Sequence, residues 1–117
     1  MNRSAVREIQ GIDRFKFHEG ELDDFKRLSA RLMEVVRNED TGTLQYEIYF
    51  NDDQSECIVL ERYRDSEAMM EHGTHLGALG QAIPGLVSSE LLGEPSAEVR
   101  AQLVGSGVRV FTPFMSL

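Results

Sequence analysis

Tryptophan is missing from this chain, cysteine occurs once, and proline occurs three times in 117 residues. The lone Cys57 rules out an intrachain disulfide and suits a reducing compartment. It falls at the start of an expected strand, where a half-buried, inert thiol is the ordinary outcome. Base is scarce as well: 12 Lys and Arg stand against 20 Asp and Glu, for a formal net charge of −8. Nucleic acid and anionic lipid both need a basic footprint, so neither is expected as a partner. No run approaches the ~20 apolar residues of a membrane-spanning helix. The opening MNRSAVREIQ lacks the apolar core of a secretion signal. No membrane association and a cytoplasmic location are therefore the expectations. What remains is an ordinary globular composition, 41% apolar and 27% charged, in a length suited to one domain.

The apolar pattern changes period along the chain. Around residues 9–18, Phe15 and Phe17 alternate with Arg14, Lys16 and His18, which is the period of a half-buried strand. From about 23 to 38, Phe25, Leu28, Leu32, Val35 and Val36 recur at steps of three and four, with acid at the start and Arg37 at the end, as a helix dipole favours. Asn38-Glu39-Asp40-Thr41-Gly42 breaks that helix. A second strand follows, with Leu44, Tyr46, Ile48 and Phe50 on one side, and a loop at 51–55 links it to a third over 56–63. A second helix opens at Ser66 and ends by Pro84-Gly85. A fourth strand covers 86–92. Ser96 starts a short helix through Leu103, and a short strand near Val108–Phe114 is interrupted by Pro113.

The order β-α-β-β-α-β predicts an α+β, ferredoxin-like sheet with two helices on one face and an extra C-terminal strand. We expect one domain over residues 1–117, with a core of about 9–93 and an extension of about 94–117. Strands two and three carry large apolar groups on both sides, so the face away from the helices needs its own cover. A second copy of the sheet, giving a homodimer, meets that need.

The stretch Ile58–Leu79, IVLERYRDSEAMMEHGTHLGAL, concentrates the chemistry. Glu61 and Tyr63 are two apart and share a strand face. On the following helix Met69, His72, Leu76 and Leu79 share one face, so His72 points inward with the apolar residues. Folding that helix over the strand brings a carboxylate, a phenol and an imidazole into one apolar space. His72 and Glu61 are the expected catalytic pair, and Tyr63, His75, Met69, Phe15 and Phe17 the expected substrate-binding residues. His72 and His75 alone, without placed carboxylates, do not make a metal site. Gly73, Gly77 and Gly80 are unusual inside a helix, at a cost of ~1 kcal/mol each against Ala. They imply a close backbone approach, a frayed end, or room for a ligand.

Glu61-Arg62-Tyr63, then Asp65-Ser66-Glu67-Ala68, then His72, together with Gly42-Thr43-Leu44-Gln45-Tyr46-Glu47, resembles the antibiotic biosynthesis monooxygenase family. The resemblance implies a dimeric α+β barrel with a cavity between helices and sheet. It implies monooxygenation of an aromatic or quinol-type small molecule by dioxygen, without metal, flavin or other cofactor. Tyr63 stands where many members have Trp, and the first strand lacks the Asn of the haem-degrading branch, so haem is not implied. In that setting His72 is the expected general base for a phenolic or enolic substrate, with Glu61 orienting it. The same residues also suit a cofactor-free isomerase, or a non-catalytic binding or accessory protein. A cavity of a few hundred Å³ beside His72 separates the enzyme readings from a solidly packed accessory protein.

Overall fold

The computed structural model describes residues 7–117. In chain order it contains β1 (Ile9–Lys16), α1 (Glu21–Glu39), β2 (Thr43–Phe50), β3 (Glu56–Tyr63), α2 (Ser66–Ala82), β4 (Leu86–Leu92), α3 (Ala97–Leu103) and β5 (Arg109–Phe111). The strands form one sheet in the order β2-β3-β1-β4-β5. The first four are antiparallel, and β5 runs parallel to β4. This is the expected ferredoxin-like α+β arrangement, with a fifth strand added at one edge.

Helix α1 buries Phe25, Leu28, Leu32 and Val36, the stripe its periodicity marks out. Beside it, α2 begins where the Asp65 side chain accepts from the Ala68 backbone N–H at 2.9 Å, satisfying one of the free donors of the first turn. The core forms two clusters. Ile9, Tyr63, Ala68, Leu91 and Val99 pack at one end, the last bringing α3 onto the sheet. Phe15, Phe25, Cys57 and Val59 pack at the other. Cys57 is 2% exposed, and burial pushes its thiol up to about 11, so it is inert packing.

Three details depart from the sequence pattern. β1 stops at Lys16, so Phe17 leaves the strand and packs its ring on Phe25 and Phe50 instead. The β2–β3 pairing shifts between Thr43 and Gln45, which turns Leu44 out of its alternation and leaves it 47% exposed. Within α2, Gly77 takes φ 46° and ψ −131°, a kink only glycine adopts cheaply. Past that kink Leu79 no longer joins the cavity wall; Gly80 and Ile83 do.

Candidate active site

Alternation decides what the strands present to the helices. On β3, Val59, Glu61 and Tyr63 share the inner face; on β1, Gly11 pairs with Glu61 and Asp13 with Val59. A cavity of about 300 Å³ lies between this face and the helices, with Asp13, Phe15, Glu61, Tyr63, Met69 and His72 among its walls. Gly73 also borders it. A Cβ built there would meet no atom within 4 Å, so of the readings open for this glycine, room is the one observed. The dimension meets the threshold set for a ligand cavity.

His72 is 5% exposed and stands at the centre of a chain of polar groups. Its Nδ1 lies 2.7 Å from Oδ2 of Asp40, whose side chain is only 2% exposed. Asp40 is the first residue beyond α1. Its Oδ2 also accepts from the Thr43 hydroxyl at 2.7 Å, and its Oδ1 lies 2.6 Å from Nδ1 of His75. A close approach holds this turn against α2: a Cβ on Gly42 would come 2.4 Å from that of Ala68, so a side chain cannot fit there. Thr41 adds bonds from its N–H and its hydroxyl to the Glu71 carboxylate, at 2.7 and 2.9 Å.

The other ring nitrogen of His72 faces the cavity side. Nε2 is 3.3 Å from Oε1 of Glu61, yet it is buried without an aligned hydrogen-bond partner among the described residues. Distance and direction thus disagree, and direction decides: Glu61 places a negative charge beside the ring without hydrogen-bonding it, which leaves Nε2 open to a ligand. Tyr63 donates its hydroxyl to the same Glu61 oxygen. The rings of Tyr46 and Tyr63 lie 5.5 and 5.2 Å from the imidazole.

Asp13 completes the set. The Ser89 hydroxyl donates to its Oδ1 at 2.7 Å, and its carboxyl hydrogen-bonds Glu61. Burial, then the neighbouring Glu61 charge, push Asp13 up to about 8, so it keeps its proton at neutral pH. Burial works against the Glu61 carboxylate too, but the neighbouring His72 imidazole and the hydrogen bonds from Asp13 and Tyr63 outweigh it and hold Glu61 below the ordinary range. For His72, burial opposes the charge, while Glu61 and Asp40 outweigh burial and raise its pKa. Asp40 is likewise held low by His75, Thr43 and His72 against the cost of burial. Glu61 and Asp40 thus favour the charged form of His72, and Asp40 that of His75, while Asp13 stays neutral.

Of the residues singled out in the sequence, His72, Glu61, Tyr63, Met69 and Phe15 meet at the cavity. His75 and Phe17 are not among its lining residues: the first turns to Asp40, and the second lies past the end of β1 in the aromatic cluster. Arg62, on the outer face, pairs with Glu8 at 3.1 Å within the chain. Asp40 and Asp13 were not anticipated. Asp40, Glu71 and His75 also bring ligand atoms within 4.8 Å of one another. Those side chains are already engaged, Asp40 with both histidines and Glu71 with Thr41. Among the described residues no helix is long and apolar enough to cross a membrane.

Comparison with solved structures places the fold. MupZ from Pseudomonas fluorescens superposes with a TM-score of 0.83 at 21% identity, over 96% of this chain and 89% of that one. Rv0793 from Mycobacterium tuberculosis gives 0.64 at 22% identity, over 76% and 96%. A mutant of SnoaB, a cofactor-independent oxygenase from Streptomyces nogalater, gives 0.55 at 20% identity, over 73% and 88%. A search of curated proteins finds no match. The family model for antibiotic biosynthesis monooxygenases matches residues 12–78, more than half of the chain and all of the Glu61–His72 segment. The chain belongs to the antibiotic biosynthesis monooxygenase family.

Proposed function

We propose that this protein is a cofactor-independent monooxygenase of an aromatic or quinol-type small molecule, with His72 as its general base. The observation that carries the reading is the buried Nε2 of His72. Asp40 holds the opposite nitrogen, and Nε2 meets the cavity without an aligned partner. An Asp–His pair of this kind fixes the tautomer and leaves the second nitrogen free to take a proton. Asp40, more than Glu61, orients the ring; Glu61 supplies the second negative charge that stabilises the imidazolium once formed. Raising the His72 pKa brings the base closer to a phenol or enol, whose proton it must remove. The resulting anion is electron-rich, and in an apolar cavity it transfers an electron to dioxygen. Radical recombination forms a C–O bond. The peroxide then takes a proton and loses water, leaving one oxygen atom on the substrate. Family membership and the shared fold with SnoaB, itself a cofactor-independent oxygenase, support this reading.

The outer face of the sheet carries Ile12, Ile58, Leu60 and Leu92, each only partly buried in the single chain. We assign that face to a second copy, which gives the dimer expected from the sequence.

A second reading has its own observation. A protonated Asp13 hydrogen-bonded to an ionised Glu61 places an acid and a base at one cavity wall, which is what a cofactor-free isomerase needs. Oxygen uptake with hydroquinones and polycyclic phenols separates the two. Wild type should consume oxygen, at a rate that rises as pH passes the raised His72 pKa, above about 6.5. His72→Ala should lose about 10²-fold or more of that rate while remaining folded. Uptake untouched by the substitution removes His72 as the base. Substrate rearrangement without oxygen consumption establishes the isomerase.

A further inference from the structure

The acid–base reading leaves one matter open: a proton taken up at His72 lies in a buried place and must leave it. His72 is 5% exposed, and the Asp40 side chain beside it 2%. The next group outward is different. His75 bonds the far oxygen of the same carboxylate at 2.6 Å, and its side chain is 26% exposed. Asp40 therefore bridges two imidazoles, one on the cavity and one at the surface, through opposite oxygens.

We propose that His72, Asp40 and His75 form a proton relay between the cavity and solvent. The proposal rests on the acid–base reading for its purpose, but not for its geometry. The transfer balances at every link. A proton arrives at Nε2 of His72, and the proton on Nδ1 passes to Oδ2 of Asp40. Once protonated, Asp40 no longer offsets the charge of the His75 imidazolium, which keeps its Nδ1 proton on Oδ1 and gives its Nε2 proton to water. One proton enters, one leaves, and no electron moves. Each link spans 2.6 or 2.7 Å, within the range of charge-assisted hydrogen bonds. The same path run inward returns a proton to the cavity.

The surroundings favour this use of the residues. From β3, Glu61 and Tyr63 face His72; from β2, Tyr46 does; from β1, Asp13 stands behind Glu61. Around His75 stand Asp40, Glu39 and Glu71, all acidic, so the exit is a negative mouth that attracts a proton carrier. Thr41 and Thr43 bind Glu71 and Asp40 and hold the bridging turn in place. A purely structural histidine pair would need neither the partly exposed outer imidazole nor an inner nitrogen left without an aligned partner.

The test requires no substrate. By NMR, exchange of the His72 ring N–H with water is measured in wild type, in His75→Gln and in His18→Gln, a control at an exposed histidine elsewhere. The relay predicts exchange at least ten-fold slower in His75→Gln, unchanged in His18→Gln, and partly restored in His75→Gln by added imidazole. Backbone amide exchange, measured alongside, should match wild type and so excludes altered opening of the fold. Equal His72 exchange in wild type and His75→Gln overturns the relay, whatever reaction the protein performs. Slowed exchange in a protein that consumes no oxygen keeps the relay and removes the oxygenase reading.

Discussion

Replacing Asp13 with Asn should make the protein more stable, by an amount that grows with pH. Asparagine mimics the protonated acid: its carbonyl can accept from Ser89, and its amide can donate to Glu61 as the carboxyl proton does. The wild-type carboxyl titrates near 8 when folded and near 3.8 when free. Between those values the folded protein holds a proton that the unfolded chain has released. A group raised in this way gives its full stabilisation only below the unfolded pKa, and loses it as pH rises towards the folded one. The loss is about 1.4 kcal/mol per pH unit at most, because neighbouring Glu61 shares the titration. Between pH 5 and 6 the histidines contribute little to this slope, since their unfolded pKa lies near 6.5. Urea unfolding of both proteins at pH 5 and pH 6 isolates the effect. The stability advantage of Asp13→Asn should widen by about 1 kcal/mol across that unit, and reach several kcal/mol by pH 7. A constant difference between the two proteins would show that Asp13 is ionised in the folded state and refute the assignment of its proton.

Two further substitutions test the architecture around the site. Gly42→Ala should destabilise the fold by about 1–3 kcal/mol in thermal or urea unfolding, because the new methyl would stand 2.4 Å from that of Ala68. The same change should loosen the Asp40 turn and shift the His72 and His75 resonances together. Gly73→Ala should instead stabilise by about 0.5–1 kcal/mol, since a helical Gly is exchanged for Ala with no atom in the way. Its methyl enters the cavity margin, so a bulky substrate should show a higher KM while the rate at saturation holds.

The parts of the site that were legible from the sequence are those that lie close together along it. Glu61, Tyr63, Met69 and His72 follow from one strand period, one turn and one helix period. Asp40 does not, because its link to His72 spans 32 residues and it sits in a turn whose polar run reads only as a helix stop. Asp13 was readable in principle. Counting back by twos from Phe15 reaches Asp13, Gly11 and Ile9, so an acid occupies an inward position on β1. The forward count through Phe17 failed because the strand ends first. Leu44 and Leu79 failed for a shared reason: a shift in strand pairing and a kink at Gly77 each break a period that side-chain pattern alone assumes to be intact.

The fifth strand bears on how copies of this chain can meet. Sheet edges are where chains polymerise, and this sheet has one at β2 and one at β5. β5 is three residues long and is followed by Pro113, which has no N–H to offer an incoming strand. Growth by edge pairing needs a receptive strand at both ends, so an open filament built edge to edge has no way to continue beyond β5. The eight-residue edge at β2 can accept at most one neighbour, and Gln45, Glu47 and a disturbed register at its start make it a poor one. Growth from edge to edge is thereby disfavoured at both margins of the sheet.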